Sequence, residues 1–387
     1  MMLMGYAREN GTFGIRNHLL IIPASVCAVE VASRIAEKAG GICLPHQHGC
    51  CQMGDDFRQT VRTLTGFGCN PNVGAVLVVG LGCEGIQPDQ IAREIKKTGK
   101  PVEFITIQGC GGTTKTVEHG IQIASKLAET LSLAERGPFS INHLVLGMEC
   151  GGSDPTSGIV ANPAIGIASD RLVSLGGSSI LSETTEVIGA EHILAERFIN
   201  PEEKSKFLAM VSNVEKRALA VGEDLRGSQP TPGNIQGGLS TIEEKSLGCM
   251  HKAGDTTPFI GTLEYSEAVP SKKPGLYFMD TPGEDIDSIT GMVAGGAQLI
   301  VFTTGRGTPT GCPIAPVIKI TGNPETFRIM QENIDINGGK VILGECSLDK
   351  VGDEIFEKII SVANGELTKA EKLGHKEFGI YRIGFTF

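Results

Sequence analysis

Short apolar runs recur along the chain, and most end in a glycine-containing polar segment that leads into a stretch with helical spacing. In the first half, the runs predict strands at 18–23, 41–45, 75–80, 102–107, 143–148 and 178–182. Between them the spacing predicts helices at 27–38, 55–65, 89–97, 114–135 and 163–175, with polar helices over 188–222. In the second half it predicts strands at 275–279, 298–303 and 316–320, and helices at 285–294, 324–333 and 353–363. Strands and helices of these lengths in alternation imply an α/β fold of parallel-sheet βαβ layers with helices on both faces. Two prolines and two glycines between Arg226 and Asn234 mark a boundary. Two successive α/β domains are therefore expected, residues 1–226 and 227–387.

Composition adds exclusions. The net charge is −10 and the pI about 5.4, which argues against a nucleic-acid surface. An anionic substrate would then need local cations. The eleven cysteines lack framework spacing, which excludes a secreted disulfide scaffold and points to a reducing compartment, read as the cytoplasm. No apolar run reaches membrane-spanning length. The 52 glycines gather at the ends of apolar runs, so they mark tight turns rather than low complexity.

Candidate chemistry lies at those ends. One run passes into Met148, Glu149, Cys150, two glycines, Ser153 and Asp154. A second passes into Gly82, Cys83 and Glu84, and a third into His46, His48, Gly49 and Cys50. Parallel α/β sheets present their sites at the carboxyl ends of strands. Any one of these thiols alone reads as a buried core residue. Cys50, Cys83 and Cys150, each beside glycine and each near His46, Glu84 or Glu149, read together as metal ligands. Cys27, Cys43, Cys51, Cys69, Cys249 and Cys346 read as structural, while Cys110 and Cys312 in Gly/Pro-rich loops stay open. The segment 237–246 matches a capping box from Ser240 to Glu243, but its Lys245 suits a carboxylate contact or, with a lowered pKa, a base. Thr304 and Arg306 follow a further apolar strand in a Gly-rich turn, an arrangement suited to a carboxylate or phosphate. The alternative for Arg306 is a plain surface turn. The glycines at 109–112 are like a phosphate cradle without the lysine of a P-loop.

Long segments of the chain resemble the altronate/galactarate dehydratase family. They are 5–17, with Arg16 and Asn17, then His46 to Cys50, Asn70 to Asn72, Gly80 to Glu84, Glu149 to Asp154, 157–163, 241–248 and 302–309. The resemblance implies iron-dependent removal of water from an aldonate or aldarate, giving a 2-keto-3-deoxy acid. It implies Cys50, Cys83, Cys150, His46 and Glu84 as the iron ligands. It also implies Lys245, Glu149 and Asp154 in proton transfer, and Arg16, Asn17, Thr304 and Arg306 on the substrate. Three thiolates with one open position suit a [4Fe–4S] cluster; a mononuclear Fe(II) site using His46 and carboxylates is the alternative. The resemblance further implies a large subunit that works with a separate small SAF-domain polypeptide, in an oligomer. Sulfolactate sulfo-lyase large subunits belong to the same family, with a pattern lacking the first two thiols, so Cys50 and Cys83 favour the sugar-acid branch. A non-catalytic metabolite-binding subunit is a third reading.

Overall fold

The computed structural model describes residues 1–384 and 386–387. In chain order its strands are β1 (Met2–Ala7), β2 (Phe13–Gly14), β3 (His18–Pro23), β4 (Ile42–Cys43), β5 (Val73–Gly80), β6 (Val102–Thr106), β7 (Gly137–Ser140), β8 (Val145–Cys150), β9 (Ser178–Leu181), β10 (Phe259–Leu263), β11 (Leu276–Met279), β12 (Leu299–Thr303), β13 (Val317–Thr321) and β14 (Ile336–Asn337). They form a four-stranded parallel sheet, order β4-β3-β5-β6, and a seven-stranded parallel sheet, order β10-β11-β9-β8-β12-β13-β14. A small antiparallel sheet, β2-β1-β7, lies apart from them.

The expected α/β architecture is present. Period-two alternation distributes each central strand between two cores. Leu19 and Ile21 of β3 face the helices Val29–Ala39 and Thr113–Ser132, whereas Leu20 and Ile22 face the helix Gly54–Cys69. In the large sheet, Leu299 and Val301 pack toward the helices Asn162–Ser174 and Leu348–Ala363. Ile300 and Phe302 face the other way, toward the helix Asp285–Ala294. The inner faces of the two parallel sheets share one continuous core with the helices Gly54–Cys69 and Asp285–Ala294 between them.

The boundary expected at 226/227 is not where the sheets divide. β8 and β9 precede it, yet they stand hydrogen-bonded between β11 and β12, which follow it. Strands joined edge to edge share one hydrophobic core, so the Pro/Gly-rich segment is an excursion of a single sheet. The division instead follows the helix Thr113–Ser132, after which every strand of the large sheet is still to come. Five strands went unpredicted: β1, β2, β7, β10 and β14, of which β1 and β7 pair with each other from far apart in sequence. Among the described residues no helix is long and apolar enough to cross a membrane.

The turn Asn70-Pro71-Asn72 staples the two parallel units together. Asn70 Nδ2 donates to the carbonyls of Val293 and Ala297 at 2.8 and 2.9 Å. Asn72 Nδ2 donates to Gln298 and Ile314 carbonyls at 2.7 and 3.0 Å, and its Oδ1 accepts from the backbone of Ile15 and Arg16 at 2.9 and 3.3 Å. Asn72 is fully buried, so removing its amide leaves backbone groups unpaired where water cannot reach. Asn72→Ala is expected to lower stability by about 3 kcal/mol, read as a reduced denaturant midpoint at unchanged m-value.

Candidate active site and metal centre

The carboxyl edge of the large sheet gathers a cluster of buried charged side chains. β8 ends in Glu149 and Cys150, both buried. β9 is followed by Ser182 and Glu183, then by a single turn, Thr184–Val187, that carries Glu186. Glu183 sits at φ +69, a left-handed conformation uncommon outside glycine, which breaks the strand and sets up that turn. The helix Ile242–Met250 starts at Thr241, whose side chain accepts from Glu244 N. Glu244 reaches back to Ser240 N, so the cap is one residue later than the spacing predicts. Lys245 and Cys249, four residues apart, share the face of this helix that meets the sheet edge. Lys252 follows in the next turn, and Asp285 and Ser288 come from the helix Asp285–Ala294.

Two groups of ligating atoms result. Cys150, Glu186 and Cys249 have a ligating atom each within 4.8 Å of the others, and so do Glu149, Glu183 and Asp285. Two lysines balance them. Lys245 Nζ lies 2.9 Å from Glu186, and Lys252 Nζ lies 2.8 Å from Glu183 and 3.1 Å from Glu186. Ser288 Oγ donates to Glu149 at 2.7 Å, and Ser153 Oγ is 2.9 Å from Cys150 Sγ. Thr303 orients Asn162, which points its amide toward Cys150.

The electrostatics follow from burial and sign. The Cys249 thiol, hydrogen-bonded to Cys150, draws the Cys150 pKa down to about 6 against the effect of burial, with help from Lys252 and Ser153. The same hydrogen bond, with burial, holds Cys249 well above its ordinary value. Burial opposes ionisation of Glu186, but Lys245 and Lys252 outweigh it and keep the carboxyl well below its usual range. Burial also opposes the charge on Lys245, yet Glu186 raises its pKa overall. Lys245 is thus a held ammonium rather than a base with a lowered pKa. Burial and neighbouring carboxylates push Glu149 and Glu183 well up, and Asp285 up to about 7.

A cavity of about 280 Å³ opens on this centre. Lys245 and Cys249 line its inner end, with Asn162, Ser153 and Asp154 on one wall and His251 at the rim. His251 Nδ1 faces Asp255 Oδ1 at 3.8 Å.

Comparison with known proteins gives the same family along nearly the whole chain. Residues 5–132 match the family model for the D-galactarate dehydratase/altronate hydrolase second domain, and residues 141–386 the D-galactarate/altronate dehydratase C-terminal model. The chain belongs to the galactarate/altronate dehydratase family. Its altronate and galactarate dehydratase relatives indicate an enzyme of the hydro-lyase class. It is 36% identical to altronate dehydratase of Bacillus subtilis over 99% of this chain and 78% of that one. It is 38% identical to galactarate dehydratase (L-threo-forming) of Escherichia coli over 79% of this chain and 59% of that one. It is also 38% identical to the (2R)-sulfolactate sulfo-lyase subunit beta of Chromohalobacter salexigens, over 98% of this chain and 97% of that one.

In this dehydratase-family chain the residues singled out from sequence divide sharply. Cys150, Glu149, Lys245 and Asp154 do meet at the large sheet's edge. Asp154, however, is spent on local structure: its Oδ1 accepts from Thr156 and from the backbone and hydroxyl of Ser157, and its Oδ2 from Asn323. Cys50 and Cys83 are exposed, on adjacent loops of the four-stranded sheet, and neither joins the Cys150 group. His46 is closed as a ligand, because Nδ1 accepts from His48 N and Nε2 reaches the Pro23 carbonyl at 2.7 Å. Burial lowers its pKa to about 4, so the ring is neutral. Glu84 caps its own loop, taking the backbone N–H of Leu81 and Gly82. Thr304 Oγ1 accepts from Gly307 N, and Arg306 Nη1 donates to the Gly233 carbonyl at 2.7 Å, pinning the 233–238 segment near Gly152. Asn17 is held by Arg8 and the Leu131 carbonyl.

Cys249, assigned from sequence to the core, belongs to the centre, and Glu186, Lys252, Asp285 and Ser288 were missed. The signal for Cys249 was the Lys245–Cys249 spacing of one helical turn. Arg16 is the clearest displacement from a substrate role. Its guanidinium forms a fork on Glu371, 2.7 and 2.9 Å, and donates to the carbonyls of Ile15, Val362 and Glu366. Every donor edge is used to tie the N-terminal segment to the C-terminal one. Arg16→Met is expected to cost about 3 kcal/mol of stability, because it leaves Glu371 partly buried and unpaired, while KM per folded enzyme stays unchanged. Thermal melting and steady-state kinetics on one preparation separate the two effects.

Proposed function

We propose that this chain catalyses metal-dependent β-elimination from a small hydroxy acid, with water lost from an aldonate or aldarate such as altronate or galactarate. The observation that carries the reading is the buried Cys150–Glu186–Cys249 group beside a pocket lined by Cys249 and, among the described residues, by a single lysine, Lys245. Two thiols and a carboxylate suit Fe²⁺ or Zn²⁺ better than a hard ion. The depressed Cys150 pKa makes one thiolate available near neutral pH. Cys150, Cys249 and Glu186 would therefore hold the iron that the family resemblance implies. A bound Fe²⁺ there supplies a Lewis acid for the leaving hydroxyl.

The chain's own residues supply the rest. Lys245, fixed as an ammonium by Glu186, binds the substrate carboxylate at the inner end of the pocket. That contact lowers the pKa of the adjacent carbon–hydrogen bond. His251, with Asp255 behind Nδ1, takes the proton through Nε2. Hydrogen lost from carbon 2 and hydroxyl lost from carbon 3 leave as water, and the enol relaxes to the 2-keto-3-deoxy acid. Lys252 stays behind Glu186 and neutralises the anions that burial would otherwise penalise.

Loss of sulfite from sulfolactate is the second reading. It is favoured by the match to a sulfo-lyase subunit over 97% of that protein's length, against 78% for the altronate dehydratase. Because that relative is named as a subunit, we also propose a second polypeptide as partner; light scattering of the chain with co-expressed neighbours should give a hetero-oligomer.

Anaerobic enzyme assayed on altronate, galactarate and sulfolactate should release water from a sugar acid at least tenfold faster than sulfite from sulfolactate. The reverse order would transfer the chain to carbon–sulfur lysis. His251→Asn should lower kcat about 10²-fold with little change in KM, as expected for loss of a general base. Cys150→Ser and Cys249→Ser should each lose most bound iron, while Cys50→Ser and Cys83→Ser keep it. Full iron in the first two variants would end the assignment of the thiol ligands.

A further inference from the structure

The three carboxylates Glu149, Glu183 and Asp285 take no part in the scheme above. Each presents an oxygen within 4.8 Å of the other two. Their outer oxygens are committed: Glu149 Oε2 accepts from Ser288, and Glu183 Oε2 from Lys252. The remaining oxygens, Glu149 Oε1 and Glu183 Oε1, are buried and meet no donor outside this pair of carboxyls. Both side chains are wholly enclosed, at 0% exposure. A carboxylate oxygen so placed forfeits its hydration with nothing in exchange. An acidic cluster alone would carry no conclusion; two enclosed oxygens with no outside donor, in one group with a third carboxylate, point to a positive ligand between them.

The backbone is arranged to make this approach. Glu183 occupies the left-handed region. Gly151 leaves room for Asp285, since a Cβ there would lie 2.3 Å from Asp285 Oδ2. Lys252 does not fill the gap, because its ammonium is already shared between Glu183 and Glu186 on the other side. The donors here are oxygen alone, whereas the neighbouring group offers two sulfurs. Hard oxygen ligands select Mg²⁺ or Mn²⁺, and sulfur selects a softer ion.

We propose that Glu149, Glu183 and Asp285 form a second cation site, specific for a hard divalent ion such as Mg²⁺ or Mn²⁺, beside the thiolate group. The centre then has two compartments of different softness, one on each side of the Glu149–Cys150 strand end. The cation neutralises the three carboxylates and so permits all of them to ionise inside the protein.

The test uses Mn²⁺ as probe, titrated into the full chain already loaded with Co²⁺, and followed by the loss of the free Mn²⁺ resonance. One Mn²⁺ per chain should bind. Asp285→Asn and Glu183→Gln should each weaken it at least tenfold, while the sulfur-to-cobalt charge-transfer absorption of the Cys150–Cys249 group persists. That absorption also reports folding of the variants, and it reads the thiolate assignment independently of the carboxylate site. Absence of saturable Mn²⁺ uptake would overturn the proposal and leave the carboxyls sharing protons. Uptake unchanged in both variants would overturn it as well, by placing the ion elsewhere. Loss of the cobalt band with Mn²⁺ uptake intact would count against the iron site alone.

Discussion

Placing a lysine ammonium out of contact with water costs several kcal/mol unless paired carboxylates offset it. Lys252 is 1% exposed, and its charge is met by Glu183 and Glu186, themselves buried. The carboxyl edge of the large sheet depends on this pairing. Without Lys252, Glu186 would have only Lys245, and Glu183 would lose its ion pair while still facing Glu149 and Asp285. With it, Glu186 stays ionised, Lys245 stays protonated, and Cys150 is drawn toward its thiolate. The same network therefore sets the ligand state of the proposed metal group and the charge of the proposed substrate anchor.

The scaffold brings these groups together through strand order. β8 and β9 are neighbours in both sequence and sheet, but β12 inserts on the other side of β8 after more than a hundred intervening residues. The helix carrying Lys245 and Cys249 comes from that intervening stretch and is laid across the edge. Its position is fixed locally by contacts such as Ser246 Oγ to the Ile188 carbonyl and Asn162 Nδ2 to the Gly248 carbonyl. Glycines at 158 and 248 meet almost backbone to backbone, which lets the helix approach the start of the helix Asn162–Ser174 closely. A shape built from segments so far apart is rigid only because the sheet beneath them is continuous.

The N-terminal unit has a different chemistry. Its thiols Cys50 and Cys83 are exposed, His46 and His48 are spent on backbone groups, and its Asn-Pro-Asn turn ties the two sheets together. Several of the longest sequence matches to the family thus mark joints in the scaffold. Arg16 with Glu371 is the plainest case, a charged pair that looks like a ligand clamp in the sequence and serves as a buried tie in the fold.

Local physics was enough to reveal the α/β class and the strand ends at Gly80 and Thr303. Apolar period and glycine position are properties of neighbouring residues, so they can be read along the chain. The sequence also showed that Cys150 stands where a parallel sheet presents its site. Which thiol would stand beside it depended on strand order: Cys50 and Cys83 end strands of the other sheet, whereas Cys249 rides a helix with no mark beyond its spacing from Lys245. Glu183, Glu186 and Asp285 were equally silent, because a carboxylate reads as a solvated charge until its surroundings are known. Only the tertiary structure encloses them around Lys252, and enclosure, by removing water, is what converts ordinary side chains into a charged centre.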